Sequence, residues 1–259
     1  MTAGSASRAL LLLCVAAWLL PACGPPSAAR KREAEARMRM GVTYLQQQNL
    51  PKAMTELHRA AELDPDNAEV DMMLGLAYRA RGDQKKAEEY LREAIDKKPD
   101  YAEAHNNLGI VLADRKAWDE AIREFEIAAN DVQYPTPEWA LYNEAEAYRS
   151  KGNVAKAEEY YRKAIRINDR YAPAYIGLST VLGGEERWEE AAAVLRQCVA
   201  KVPDYAEGWM ALGRVYARLN RTADAAKAFR TVLSVSSDPE LRKQAAAYLG
   251  ILEPGGRRP

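Results

Sequence analysis

ARMRMGVTYLQQQNLPKAMTELHRAAELDP, residues 36–65, and VDMMLGLAYRARGDQKKAEEYLREAIDKKP, residues 70–99, carry one pattern 34 residues apart. Gly41 aligns with Gly75, Tyr44 with Tyr78 and Ala53 with Ala87. Leu57 then aligns with Leu91, Ala60 with Ala94 and Pro65 with Pro99. Internal periodicity of this length decides the fold before any other feature does. The spacing predicts two antiparallel helices per repeat. Small residues at Gly41 and Ala53 let the two helices cross closely. Tyr44 and Leu57 fill the gap between them, and Pro65 ends the second helix and starts the turn to the next repeat.

The register continues along the chain. A third repeat starts at Ala102 and carries Leu108, Gly109, Leu112, Ala121, Phe125 and Ala128. A fifth starts at Ala172 with Leu178, Ser179, Leu182, Ala191, Leu195 and Cys198, and a sixth at Ala206 with Trp209, Leu212, Gly213, Tyr216, Ala225 and Phe229. From Asp238 to Leu252 one more helix is predicted, with Asp238 as N-cap and Pro239 at the first helical position. A stacked array needs such a cap to cover its last apolar face. The whole pattern resembles the tetratricopeptide repeat. It implies an all-α fold: a tetratricopeptide-repeat superhelical solenoid of six repeats plus a C-terminal capping helix, over residues 34–253, with 254–259 as a disordered tail.

The fourth repeat departs from the rule. Tyr148, Ala157, Tyr161 and Ala164 place its start near Glu138, 36 residues after Ala102. The two extra residues fall in NDVQYPTPEW, residues 130–139, where Pro135 and Pro137 force an extended connection. A longer loop and a change in the superhelix path are expected there. Glu144-Ala145 also stands where the other repeats place a Leu-Gly type pair.

Composition removes several function classes. The 259 residues hold 37 Lys+Arg and 37 Asp+Glu, a net charge of zero, which speaks against nucleic acid as a partner. Only His58 and His105 are present, in different repeats, and no metal, dinucleotide or phosphate-loop motif occurs. Acidic residues lie in runs such as KAEEYLREA (86–94) and KAEEYYRKA (156–164), which read as solvated helix faces with i, i+4 pairs. The aromatic residues Tyr44, Tyr78, Tyr148, Tyr161, Tyr216 and Phe125 fall on core positions of the repeat. The chain is therefore expected not to be an enzyme, and to take no cofactor, metal or small-molecule substrate.

Residues 1–22 differ from the rest. MTAGSASR has one Arg and no acid, and ALLLLCVAAWLLPA is an apolar run of 14 residues. A spanning helix needs about 20, so the run reads as a secretory signal. It ends in LPAC, residues 20–23, which resembles the lipobox of bacterial lipoproteins and implies lipidation of Cys23 after cleavage. An ordinary signal peptide with a chance cysteine is the alternative. Residues 23–33 then form the lipidated Cys and a tether, GPPSAARKRE, whose ten residues reach roughly 33–36 Å if extended. With Cys14 in the signal and Cys23 lipidated, Cys198 stands alone, so no disulfide framework exists. Cys198 reads as a small buried core residue.

Lipobox, six repeats and the YPTP junction before the fourth repeat together resemble the pilotin lipoproteins of type IV pili, the PilF/PilW/Tgl type. The resemblance covers nearly the whole chain after Cys23. It implies an outer-membrane lipoprotein on the periplasmic face, held by its lipid anchor, that helps the type IV pilus secretin localise and oligomerise. Gly24 supports that sorting, because an Asp after the lipidated Cys tends to retain lipoproteins at the inner membrane. A periplasmic scaffold for cell-wall synthesis or another envelope assembly remains the alternative.

The expected partner surface is the inner wall made by the first helix of each repeat. It points to Met38, Val42 and Leu45 in the first repeat, Met72 and Leu76 in the second, and Asn106 and Ile110 in the third. Apolar side chains converging on one wall mark a partner site, and Met adapts to irregular partners. The alternative is that they pack against neighbouring first helices. Tyr142, Arg149, Thr180, Gly183 and Arg214 give the later repeats a more polar, broken wall.

Overall fold

A computed structural model describes residues 27–253, and every regular element among them is a helix. The chain divides into two compact units, Met1–Asp66 and Asn67–Pro259. The first contains one hairpin, α1 (Ala28–Gln46) with α2 (Leu50–Leu63). The second contains five: α3 (Ala68–Ala80) with α4 (Gln84–Lys97), α5 (Ala102–Asp114) with α6 (Trp118–Asn130), α7 (Pro137–Ser150) with α8 (Val154–Ile167), α9 (Ala172–Gly184) with α10 (Trp188–Lys201), and α11 (Ala206–Arg218) with α12 (Thr222–Val235). A last helix, α13 (Pro239–Leu252), packs on α12. The fold is the expected all-α array of tetratricopeptide hairpins with its terminal helix.

Four of the six hairpins are closed by the same device. A Cβ built on Gly109 would lie 2.5 Å from Phe125 Cε1, so only glycine lets α5 approach the ring on α6. Gly41 faces Leu57 and Gly213 faces Phe229 in the same way. The turn between the two helices uses one left-handed residue: Gln48, Gly82, Lys116, Gly152, Glu186 and Asn220 all have φ between 57° and 84°. Four of these are not glycine, so the tertiary contacts hold a conformation that a side chain disfavours.

Side-chain caps then start several second helices. Asn153 Oδ1 accepts from the Lys156 backbone N–H at 3.2 Å at the start of α8. Asn153→Ala should lower stability by about 1 kcal/mol, read as a fall in the urea midpoint. An unchanged midpoint would show that the cap contributes nothing here.

Within the second unit, first helices of consecutive hairpins touch: α3 with α5, α5 with α7, α7 with α9, and α9 with α11. No pair of second helices packs to that extent. The first-helix side is therefore the inner side of this array. One apolar core runs from Ala145 to Ala245 and includes Tyr161, Leu178, Leu195 and Phe229. Cys198 lies in it, fully buried, and burial raises its thiol to about 11, which makes it inert. His105 is buried too. Burial lowers its pKa, but the Glu124 carboxylate 2.7 Å away and the Pro99 carbonyl outweigh this and raise it. It is a packing group that bridges two elements.

The junction is residues 131–136, six residues where 98–101, 168–171 and 202–205 are four each. Pro137 sits in the first turn of α7, where its missing N–H costs nothing. Tyr134 is buried with Ala102, Ala128 and Ala140. The extra residues are thus anchored by an aromatic side chain, a role the sequence pattern did not reveal.

One boundary needs correction. Residues 28–33 of the expected tether are helical. Ser27 caps α1 through Arg30 N–H, and Glu33 pairs with Arg37 one turn on. The alanines and long charged side chains of AARKRE favour helix, so the extended reach is shorter than ten residues. Residues 1–26, with the expected signal and Cys23, and residues 254–259 lie outside the described residues.

Candidate interaction surface

The inner wall of the second unit is built from the exposed face of α3, α5, α7, α9 and α11. Two register positions behave differently. Met72 and Asn106 are buried, with 5% exposure each, and Met210 has none. Asn106 Oδ1 accepts from Asn143 Nδ2 on α7 at 3.0 Å, which ties neighbouring first helices together. These side chains belong to the packing between first helices and do not face a partner. Leu76 and Ile110, one turn further on, are half-buried and line the wall. In the first unit Met38 is buried, while Val42 and Leu45 are half-buried.

The strongest partner-facing features lie further along, in the repeats whose wall the sequence reads as polar. Trp139 is 50% exposed at the start of α7. Tyr142, three residues on, stacks edge-on with Tyr171 at 5.7 Å and tilts against Tyr161 at 5.9 Å. Beside them Arg149 pairs with Glu146 at 2.5 Å, and the Tyr161 hydroxyl donates to Glu146. Hydrogen bonds that Arg149 donates to Glu146, the largest influence, raise the Arg149 pKa. A wall with aromatic anchors beside a satisfied polar cluster has the composition of a protein-binding hot spot.

Between α9 and α11 the wall opens into a cavity of about 390 Å³. Ile176, Thr180, Gly183 and Trp188 line one side, and Arg214 and Val215 the other. Small residues at Thr180 and Gly183 create the space, and Gly183 has to be small because a Cβ there would meet Trp188 Cζ3 at 2.6 Å. The sequence signal for this cavity was present as small residues at two wall positions. It reads as a gap in the surface until the Trp188 ring beneath it is seen.

Among the described residues no group of three His, Cys, Asp or Glu side chains could hold a metal. Nor is any helix among them long and apolar enough to cross a membrane.

Stacked helical hairpins that present an inner wall define a protein-interaction array. Tetratricopeptide repeat profiles match residues 38–102, 72–136 and 177–240, and a second profile of that description matches 138–171. The chain belongs to the tetratricopeptide repeat family. Among solved structures, Pseudomonas aeruginosa PilF superposes with a TM-score of 0.70 at 22% identity, over 85% of this chain and 99% of that one. PilW, described as a widely conserved type IV pilus biogenesis factor, gives 0.69 at 22% identity, over 82% of this chain and 97% of that one. Yeast Tom70 reaches 0.69 at 16% identity, but over 47% of its own length. No curated protein sequence matches the chain.

Proposed function

We propose that this protein is an outer-membrane lipoprotein that acts as a pilotin, assisting the localisation and oligomerisation of the type IV pilus secretin through protein contacts on its inner wall. The observation that carries the reading is the end-to-end likeness to PilF and PilW, 99% and 97% of whose lengths are covered. Tom70, by contrast, matches as a fragment of a longer array. The LPAC stretch at residues 20–23 supports a lipid anchor on Cys23. Two or three acyl chains would hold the protein stably, since each buried CH₂ contributes about 0.8 kcal/mol.

The partner segment is expected to lie against Leu76, Ile110, Trp139 and Tyr142. Apolar wall of this kind takes an amphipathic helix or an extended segment. The test is a blot for detergent-resistant secretin multimers in cells carrying Leu76→Glu with Trp139→Glu. Loss of multimers, with the protein folded by circular dichroism and still membrane-bound, is the expected result. Wild-type multimer levels would remove the wall as the site. Intact multimers after deletion of the whole gene, with altered cell shape or lysis, would favour the cell-wall scaffold instead. Cys23→Ser should in turn abolish fatty-acid labelling and release the protein from the membrane; equal label in both forms would refute lipidation at Cys23.

A further inference from the structure

On the opposite side of the fourth hairpin, a cavity of about 380 Å³ lies between α6, α7 and α8. We propose that it is a docking socket for a basic side chain, lysine or arginine, of a protein partner: Glu144 and Glu126 supply the carboxylates, and Leu141 and Ile167 the apolar wall for the stem.

Glu144 carries the argument. It is 1% exposed, and its Oε1 has no hydrogen-bond partner in the protein. Its register position holds Leu74, Leu108, Leu178 and Leu212 in other hairpins, all at most 2% exposed. A carboxylate in a leucine position has no packing rationale, and a buried acceptor left unmatched is destabilising. Tyr160, beside it in the cavity lining on α8, holds the Glu144 pKa down against the effect of burial. A cation with an aliphatic stem would supply the partner that Oε1 lacks.

Two carboxylates, Glu144 and Glu126, and two cations, Lys163 and Arg166, line the cavity. Glu126 faces the cavity from α6 and makes no ion pair among the described residues. From α8, Lys163 is tied to Glu159 at 2.6 Å, so its charge is already matched. Lys156 also acts on Glu144, and Arg166 is an exposed residue at the cavity. On the other side of α7, α5 meets it through Asn106 and Asn143, and the segment leading into α9 meets it through Tyr171 and Tyr142. The edge of the socket is apolar and open: Ile167 is 59% exposed, and Ile127, next to Glu126, is 47% exposed. Burial, reinforced by Glu126, raises the Glu144 pKa to about 7, so a bound cation would draw its proton off near neutrality.

The test is a titration of the isotopically labelled full chain, followed by NMR, with N-acetyl-arginine amide, N-acetyl-lysine amide and N-acetyl-glutamate amide. The basic probes should shift resonances of Glu126, Glu144 and Tyr160, and bind about tenfold more tightly at pH 8 than at pH 6. Glu144→Gln should remove that pH dependence and weaken binding about tenfold, and Glu126→Gln, at a more exposed position, should weaken it without removing the pH dependence. Shifts caused by the acidic probe, no shifts with any probe, or unchanged binding in Glu144→Gln would overturn the proposal.

Discussion

Replacing Glu144 with leucine is expected to stabilise the protein by about 3 kcal/mol at pH 8, and by much less at pH 5. The folded carboxyl titrates at about 7, raised by burial first and by Glu126 second, against an ordinary value of 4.5. The sign follows from proton counting. Between those two values the folded state holds a proton that the unfolded state has released, so wild-type stability falls as pH rises through this window and levels off above it. The difference of about 2.5 pKa units corresponds to roughly 3 kcal/mol. Leucine removes the ionisation and restores the side chain that Leu74, Leu108, Leu178 and Leu212 place at this position, with added apolar burial. Urea midpoints at several pH values give the result directly. Parallel profiles for wild type and variant would show that Glu144 is not held as a buried acid. If the socket is functional, this gain in stability comes with loss of cation binding, the usual trade-off at a site kept for function.

Gly177→Ala is the second large effect, with an expected net loss of about 2 kcal/mol. The added Cβ would lie 2.3 Å from Tyr161 Cε1 and 2.5 Å from Cζ. Tyr161 is fully buried and its hydroxyl donates to Glu146, so the ring has little freedom to retreat. Overpacking of this kind costs up to about 3 kcal/mol, and the better helix propensity of alanine offsets roughly 1 kcal/mol of it. Tyr161→Leu in the same chain should relieve the clash, so the pair should couple in a double-mutant cycle measured by chemical unfolding. Additive losses would mean that the two positions do not press on one another.

These two sites share a cause in the fourth repeat. In four of the other hairpins a glycine on the first helix faces the large residue of its own hairpin, as Gly109 faces Phe125 and Gly213 faces Phe229, while the fifth carries Ser179 there. In the fourth hairpin Ala145 stands at that position, and Tyr161 instead presses on Gly177 of the next hairpin. The departure from pattern at Glu144-Ala145 was visible in the residues. Its compensation was not, because Gly177 is 33 residues away from Glu144 and sits off the repeated positions.

The sequence alone determined the hairpin array. A period of 34 residues, broken once by a 36-residue step, places glycine, alanine and large apolar side chains at recurring positions, and close helix crossing leaves few other ways to bury them. It also determined the longer junction, since Pro135 interrupts the helical pattern, Pro137 suits only a helix start, and the step to this repeat is two residues longer. Tertiary structure alone decided which wall residues are open. Met72 and Asn106 share the register of an exposed groove, yet contacts between the first helices of neighbouring hairpins close over them. The same packing leaves Trp139 half-exposed, opens a cavity over Trp188 at Gly183, and turns Glu144 inward between α6 and α8. Burial depends on distances between neighbouring repeats, and a one-dimensional pattern repeats the residues without fixing those distances.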